Sequence, residues 1–289
     1  MTPIQELIPT KKETDTSTPK EIPLWRVSTR DFQQVSSGLS HSCGVTTAGE
    51  ILCWGNNTYD QSTPPKGSFT QIAVGLYFSC ALDTADELQC WGAPPSKTPS
   101  GTFSQLDMGE YHGCALDVDN AVTCWGPTSF DNGQASPPDG EFLFVSSGEE
   151  YFSCAITSSN DIVCWGYTNS LTDPPPSEIT FTQLSAGNRH VCGLTDTSEI
   201  ICWGDPTAGV TLPPKGSFID VRSGSSDNCA LTSTGEITCW GGDSYGINNT
   251  PEEGRFTQVS IQGLHSCALR DDNKVVCWGW DVHGQSSPP

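Results

Sequence analysis

The sequence predicts an all-β protein, a seven-bladed β-propeller carrying one disulfide inside a hairpin of each blade. Three observations carry that prediction. Cys, nine residues, then Cys-Trp-Gly recurs seven times and uses all 14 cysteines of the chain. The tryptophans of that motif, from Trp54 through Trp91, Trp125, Trp165, Trp203 and Trp240 to Trp278, are 37, 34, 40, 38, 37 and 38 residues apart. A period in that range marks a repeat architecture built from one supersecondary unit. Around each cysteine pair the apolar residues alternate with the period of two expected of strands, as in Cys43-Gly-Val45 and Ile51-Leu-Cys53.

Each unit opens on an anchor phenylalanine (Phe32, Phe69, Phe103, Phe142, Phe181, Phe218 or Phe256), three residues ahead of Val, Ile or Leu. A Gly-x-x-His segment follows, then the cysteine hairpin. The midpoint between Cys43 and Cys53 is Ala48, so an antiparallel hairpin with a three-residue loop, Thr47 to Gly49, sets the two cysteines opposite each other. The last loop position favours a residue that tolerates positive φ, and Gly49, Asp86, Asn120, Asn160, Gly235 and Asn273 comply while Ser198 departs. Directly opposed residues lie within reach of a disulfide. The expected pairs are Cys43 with Cys53, Cys80 with Cys90, Cys114 with Cys124, Cys154 with Cys164, Cys192 with Cys202, Cys229 with Cys239 and Cys267 with Cys277. Zinc ligation and buried free thiols are the competing readings; no Cys-x2-Cys knuckle or His at a fixed step supports zinc. After Cys-Trp-Gly comes a variable loop that ends near Pro-Pro-x-Gly. Seven such units, read as four-stranded blades, are enough to close a ring, with a straight β-solenoid as the alternative.

Fourteen cysteines that pair without remainder point to an oxidising compartment, hence to a secreted or cell-surface protein. Lys plus Arg total 13 against 34 Asp plus Glu, and the net charge of -21 repels nucleic acid and anionic membranes. No stretch approaches 18 apolar residues, so no membrane insertion is expected. Residues 1–24 are rich in Thr, Pro, Lys and Glu, contain no apolar signal core, and read as a flexible leader or linker ahead of a propeller spanning 25–289. A signal sequence is expected to have been cleaved or trimmed. Trp25 is expected to pin the junction against the first repeat.

The segments GLSHSCGVTTAGEILCWG, FTQLSAGNRHVCGL and LHSCALRDDNKVVCWGWDVHGQSSPP resemble the repeats of the regulator of chromosome condensation family, and the resemblance runs over residues 32–289. The chain is more similar to the secreted bacterial branch, which includes the propeller-type β-lactamase inhibitory protein, than to the eukaryotic nucleotide-exchange factors. The resemblance implies a seven-bladed propeller used as a rigid protein-binding disc. No insertion resembles the protruding wedge of the exchange factors, which argues against that activity.

No nucleophile, base and orienting group are placed together by any motif, so the chain is not expected to be an enzyme. His41, His112, His190 and His265 occupy one repeat position, held by Phe78, Phe152 and Asp227 in the other copies, and so read as structural. The acidic turns Asp117-Val-Asp119 and Asp271-Asp272-Asn273 lack a full calcium loop, and no metal or cofactor is expected. If strands run up and down, the Gly-x-x-His and post-Cys-Trp-Gly loops emerge at one end, and every tyrosine falls there. The expected partner-binding residues are Tyr59, Tyr77, Tyr111, Phe130, Tyr151, Tyr167, Arg189, Tyr245 and Trp280, since clustered aromatic rings are typical of recognition surfaces. The expected function is a non-catalytic, monomeric, extracellular protein-binding module of inhibitor or adhesin type. A carbohydrate-binding propeller lectin is the alternative, disfavoured because the loops differ from blade to blade.

Overall fold

Each repeat forms one antiparallel sheet whose strands follow chain order from the inside outwards. The computed structural model describes residues 25–94, 98–126, 131–149, 151–171 and 175–289. Blade 1 consists of Phe32–Ser37, His41–Thr46 and Ile51–Gly55, and blade 2 of Phe69–Val74, Phe78–Asp83 and Leu88–Gly92. Blade 3 holds Phe103–Met108, Gly113–Asp117 and Val122–Trp125; blade 4 holds Phe142–Ser147, Phe152–Thr157 and Ile162–Gly166. Blade 5 is Phe181–Ala186, His190–Thr195 and Ile200–Gly204, and blade 6 is Phe218–Ser223, Asp227–Thr232 and Ile237–Gly241. Blade 7 comprises Phe256–Gln262, His265–Arg270 and Val275–Gly279. In each triplet the strands are called inner, middle and outer. The seven inner strands lie side by side in a closed circuit, blade 7 returning to blade 1.

Two expectations need correction. Among the described residues six blades have three strands rather than four, and only blade 7 has a fourth. The segments that follow the outer strands carry Pro-Pro pairs, or in blade 6 the single Pro251, which lack N–H donors and do not extend a ladder. The fourth strand of blade 7 is Trp25–Val27, with Trp25 opposite Trp278, Arg26 opposite Cys277 and Val27 opposite Val276. Trp25 therefore closes the last blade instead of bracing the first repeat, because the outer edge of blade 7 lies where the chain enters the ring. The N–H of Ser28 then donates to Val275 O and that of Phe32 to Asn273 O, leading the chain into blade 1.

The cysteine pairs are opposite one another in every middle–outer hairpin, with Cα separations of 4.0–4.1 Å, and all seven disulfides are formed. The hairpin turns place Asp86, Asn120, Asn160, Ser198 and Asn273 at φ of 61–67°. Ser198 adopts the left-handed conformation despite its unfavourable side chain, because the hairpin register demands it.

Seven apolar clusters occupy the blade junctions, one at each. Cys43, Val45 and Ile51 of blade 1 pack on Phe69, Ile72 and Val74 of blade 2. Cys267, Leu269 and Val275 of blade 7 pack on Phe32, Val35 and Trp54 of blade 1, which closes the circle. A middle strand is thus covered on both faces, and His41–Thr46 is buried throughout. That demands small residues where the anchor Phe of the same blade lies across it. A Cβ at Gly44 would stand 2.5 Å from the Phe32 ring, and one at Gly193 2.4 Å from Phe181.

Inner strands of neighbouring blades do not share a ladder, so side chains satisfy their edges. A bulge at the second residue of every Phe-x-Gln segment, as between Phe32 and Gln34, sets the third residue at the wall of the central channel. The Gln34 carboxamide donates to Ile72 O (3.3 Å) and accepts from Ile72 N (2.8 Å) in blade 2. Gln105 does the same with Val145 of blade 4, and Gln258 with Val35 of blade 1. A carboxamide carries the donor and acceptor of a peptide group and so completes an edge that burial would otherwise leave unpaired.

Candidate interaction face

One end of the propeller is built from two sets of loops that the ladder binds together. The first residue after Cys-Trp-Gly donates its N–H to the loop before the middle strand: Asn56 to Ser40 O, Ala93 to Tyr77 O, Tyr167 to Tyr151 O, Asp205 to Arg189 O and Trp280 to Leu264 O. The hairpin turns and the starts of the inner strands are at the opposite end, where Phe69 N donates to Gly49 O.

The motif tryptophan ties each junction from beneath. Trp91 Nε1 donates to Gln61 O of the preceding blade's loop at 2.9 Å, Trp165 to Gln134 O, Trp240 to Val210 O, Trp278 to Ile247 O, and Trp54 to Gln285 O across the closure of the ring. Gln61, Gln134, Val210, Ile247 and Gln285 are accordingly buried plugs. Sequence reasoning missed them, although each stands six residues after the motif glycine, or eight in blade 3, directly behind Gly or Asp. The backbone just before each plug turns through positive φ, at Asp60, Gly133, Gly209, Gly246 and Gly284. The residue two places ahead of the plug is thereby presented outward, and in blades 1 and 6 it is a tyrosine.

All the expected binding residues within the described chain stand at this end; Phe130 lies outside the described residues. Tyr59, Tyr77, Tyr167 and Tyr245 are exposed, as is Arg189, whereas Tyr111, Tyr151 and Trp280 are half-buried. They form three groups at blade junctions. Tyr59 of blade 1 meets Tyr77 of blade 2 with ring centroids 4.9 Å apart. Tyr111 of blade 3 stacks on Tyr151 of blade 4 at 6.1 Å, and Tyr151, Tyr167 and Arg189 share a cavity of about 290 Å³ with Asn132, Asn188 and Ser170. Tyr245 of blade 6 and Trp280 of blade 7 are 6.1 Å apart, and His283 meets Trp280 edge-on at 5.5 Å. Phe78 and Phe152 are not part of the surface; both are buried in their middle strands.

The repeat histidines begin the middle strands and bridge blades. His41 Nε2 lies 2.8 Å from Ser79 Oγ, His112 Nε2 2.8 Å from Ser153 Oγ, His190 Nε2 2.7 Å from Asn228 Oδ1, and His265 Nε2 2.6 Å from Ser42 Oγ. Burial pushes His41 and His265 down to about 3, His41 with a further push from His265, so both stay neutral in ordinary buffers. Asp227 replaces the histidine in blade 6. Burial and then the nearby Asp243 carboxylate raise it to about 7.

The Regulator of chromosome condensation (RCC1) repeat matches residues 32–61, 69–94, 181–209 and 256–285, four of the seven units. No curated protein matches the chain in sequence. Among solved structures it is similar to the CRINKLY WD40 ectodomain of the receptor kinase ACR4 from Arabidopsis thaliana, at 24% identity and a TM-score of 0.73, over 90% of this chain and 99% of that one. The entire ectodomain of the Physcomitrella patens receptor kinase CR4 matches at 24% identity and a TM-score of 0.73, over 86% of this chain and 73% of that one. Prp20p from Saccharomyces cerevisiae, described with its binding properties to Gsp1p and histones, matches at 15% identity and a TM-score of 0.69, over 88% of this chain and 83% of that one. At these identities the likeness is one of fold.

Proposed function

We propose that the protein is a non-catalytic, extracellular binding module that holds a protein partner on its aromatic end, in the manner of an inhibitor or an adhesin. The observation that carries this reading is the pairing of rings at the surface across blade junctions, exposed Tyr59 with exposed Tyr77 and exposed Tyr245 with half-buried Trp280. Rings held rigidly at a solvent-facing surface offer large contact area at small entropic cost, the property of interface anchors. Seven disulfides favour an oxidising compartment. The receptor ectodomains and Prp20p, which share the fold, lend the reading a precedent. The sequence resemblance to the secreted bacterial branch belongs to the same reading, and the module is taken to act as a monomer.

The test is affinity capture from the native surroundings of the protein, comparing the wild type with Tyr59→Ala, Tyr77→Ala, Tyr167→Ala and Tyr245→Ala combined. A captured protein lost with the variant, at unchanged melting temperature, is the expected result. Capture that survives the variant overturns the assignment to this end. Capture that survives protease treatment of the extract and is competed by free sugars makes the molecule a lectin instead.

A further inference from the structure

The charges around the rings identify the chemistry of the partner. In the described residues of the two loop sets at the aromatic end, the carboxylates are Asp60, Glu110, Asp131, Glu149, Asp205, Asp243 and Asp281, and the only cation is Arg189. Of the other described cations, Arg26 reaches this end through its contact with Asp281, and the rest lie elsewhere. Arg30, Lys66, Lys215, Arg255, Arg270 and Lys274 are at the opposite end, Arg222 lines the channel, and Arg26 is on the fourth strand of blade 7. Some of the acidic groups are already engaged. Glu149 is buried and accepts from Ser225 Oγ and Gly263 N, and Asp281 is 3.6 Å from Arg26. Asp60 and Asp243 are exposed, Asp243 Oδ1 accepts from Asn248 N, and no ion pair among the described residues reaches either carboxylate.

Each of the two lies in the loop that carries the tyrosine of a ring pair. Asp60 follows Tyr59 in the chain, and Asp243 stands two residues ahead of Tyr245 on the equivalent loop of blade 6. Burial, and after it the Asp243 carboxylate, raises Asp227. A ring face attracts a cation through its quadrupole, and a carboxylate next to it adds a charge partner. A tyrosine at the equivalent loop position, with a carboxylate in the same loop, therefore occurs twice, on opposite sides of the closure between blades 7 and 1.

Resting on the reading of this end as a protein-binding surface, we infer that the docked protein is basic there. Its Lys or Arg side chains seat on the Tyr59–Tyr77 and Tyr245–Trp280 pairs, against Asp60 and Asp243. An acidic or neutral partner would leave these carboxylates facing like charge or desolvated without a partner.

The test uses two synthetic octapeptides, alternating Lys and Gly or alternating Glu and Gly, titrated calorimetrically into the whole protein at low salt. The Lys peptide is expected to bind and the Glu peptide not. Asp60→Asn with Asp243→Asn, which keeps the side-chain shape and turn hydrogen bonding, weakens Lys-peptide binding by at least about fivefold. Tyr59→Leu with Tyr245→Leu weakens it similarly while leaving every charge in place. Asp119→Asn with Asp196→Asn, an equal loss of exposed charge at the opposite end, changes it less than about twofold. Equal losses from the two Asp→Asn pairs, no effect of the Tyr pair, tighter binding of the Glu peptide, or no binding of the Lys peptide each overturns the inference. In any of those cases the capture experiment with the tyrosine variant still decides separately whether this end binds a protein.

Discussion

His41, His112, His190 and His265 each face a residue of the next blade that bonds them: Ser79, Ser153, Asn228 and Ser42. Where the repeat has Phe78 or Phe152 instead, the corresponding residue of the next blade is Gly113 or Val191, neither of which could use a histidine. The sixth junction breaks this matching. Asp227 is too short to replace a histidine, and Ser266 Oγ of blade 7 is buried with no hydrogen-bond partner among the described residues. Asp227→His is expected to restore the bond to Ser266 and stabilise the protein by about 1 kcal/mol in thermal or urea unfolding. The pH dependence follows from the direction of each shift. Asp227, raised to about 7, lets the folded state hold a proton that the unfolded chain releases near its ordinary value, so its contribution falls as pH rises from about 4 to about 7. His41 and His265, depressed to about 3, act oppositely: the folded state is favoured above pH 6.5 and loses ground as pH falls towards 3. Asp227→His should therefore abolish the decline on the neutral side in urea titrations across pH 4–8, and an unchanged decline would show that another group causes it.

At the scale of the hairpin, the disulfide joins residues already paired across a two-strand ladder, closing a sequence separation of 10. In the chain-entropy model such a loop contributes about 2–3 kcal/mol. Replacing the pair Cys154 and Cys164 by Ala should cost about that much, plus a small cavity term, since Cys154 is fully buried against blade 5. Chemical denaturation of the double variant measures it, and a loss under about 1 kcal/mol would mean the unfolded chain is little constrained by this link. Full reduction should lower the melting temperature sharply. The hairpins were legible because their spacing, turn residues and alternation are local. The number of strands per blade was not, because the Pro-rich connections have the right length for a fourth strand but lack the donors to form one.

For the molecule as a whole, closure is the decisive feature. The ring is sealed by the blade 7 to blade 1 cluster, by the bonds of Gln258 to Val35, and by the pairing of Trp25–Val27 with Val275–Gly279. A chain beginning at Ser28 loses that fourth strand and the packing of Trp25 on the blade 6 to blade 7 cluster. It should unfold at lower denaturant, by on the order of 2–3 kcal/mol, with blades 6 and 7 losing amide-exchange protection first. Uniform protection across all blades would show that closure rests on the apolar cluster alone.

The sequence by itself determined the repeat, the blade count, the cysteine pairing and the end of the ring at which the tyrosines emerge. All of these follow from short-range periodicity and from the reversal of direction at each turn. Tertiary structure alone decided which rings pair across junctions, that Gln34 and its counterparts bridge inner strands, that Trp25 completes the last blade, and that Asp60 and Asp243 stand exposed in the loops of the aromatic pairs, outside any ion pair among the described residues. These depend on residues a blade or a whole ring apart in the chain, brought together only when the circle closes, and no local pattern encodes a distance of that kind.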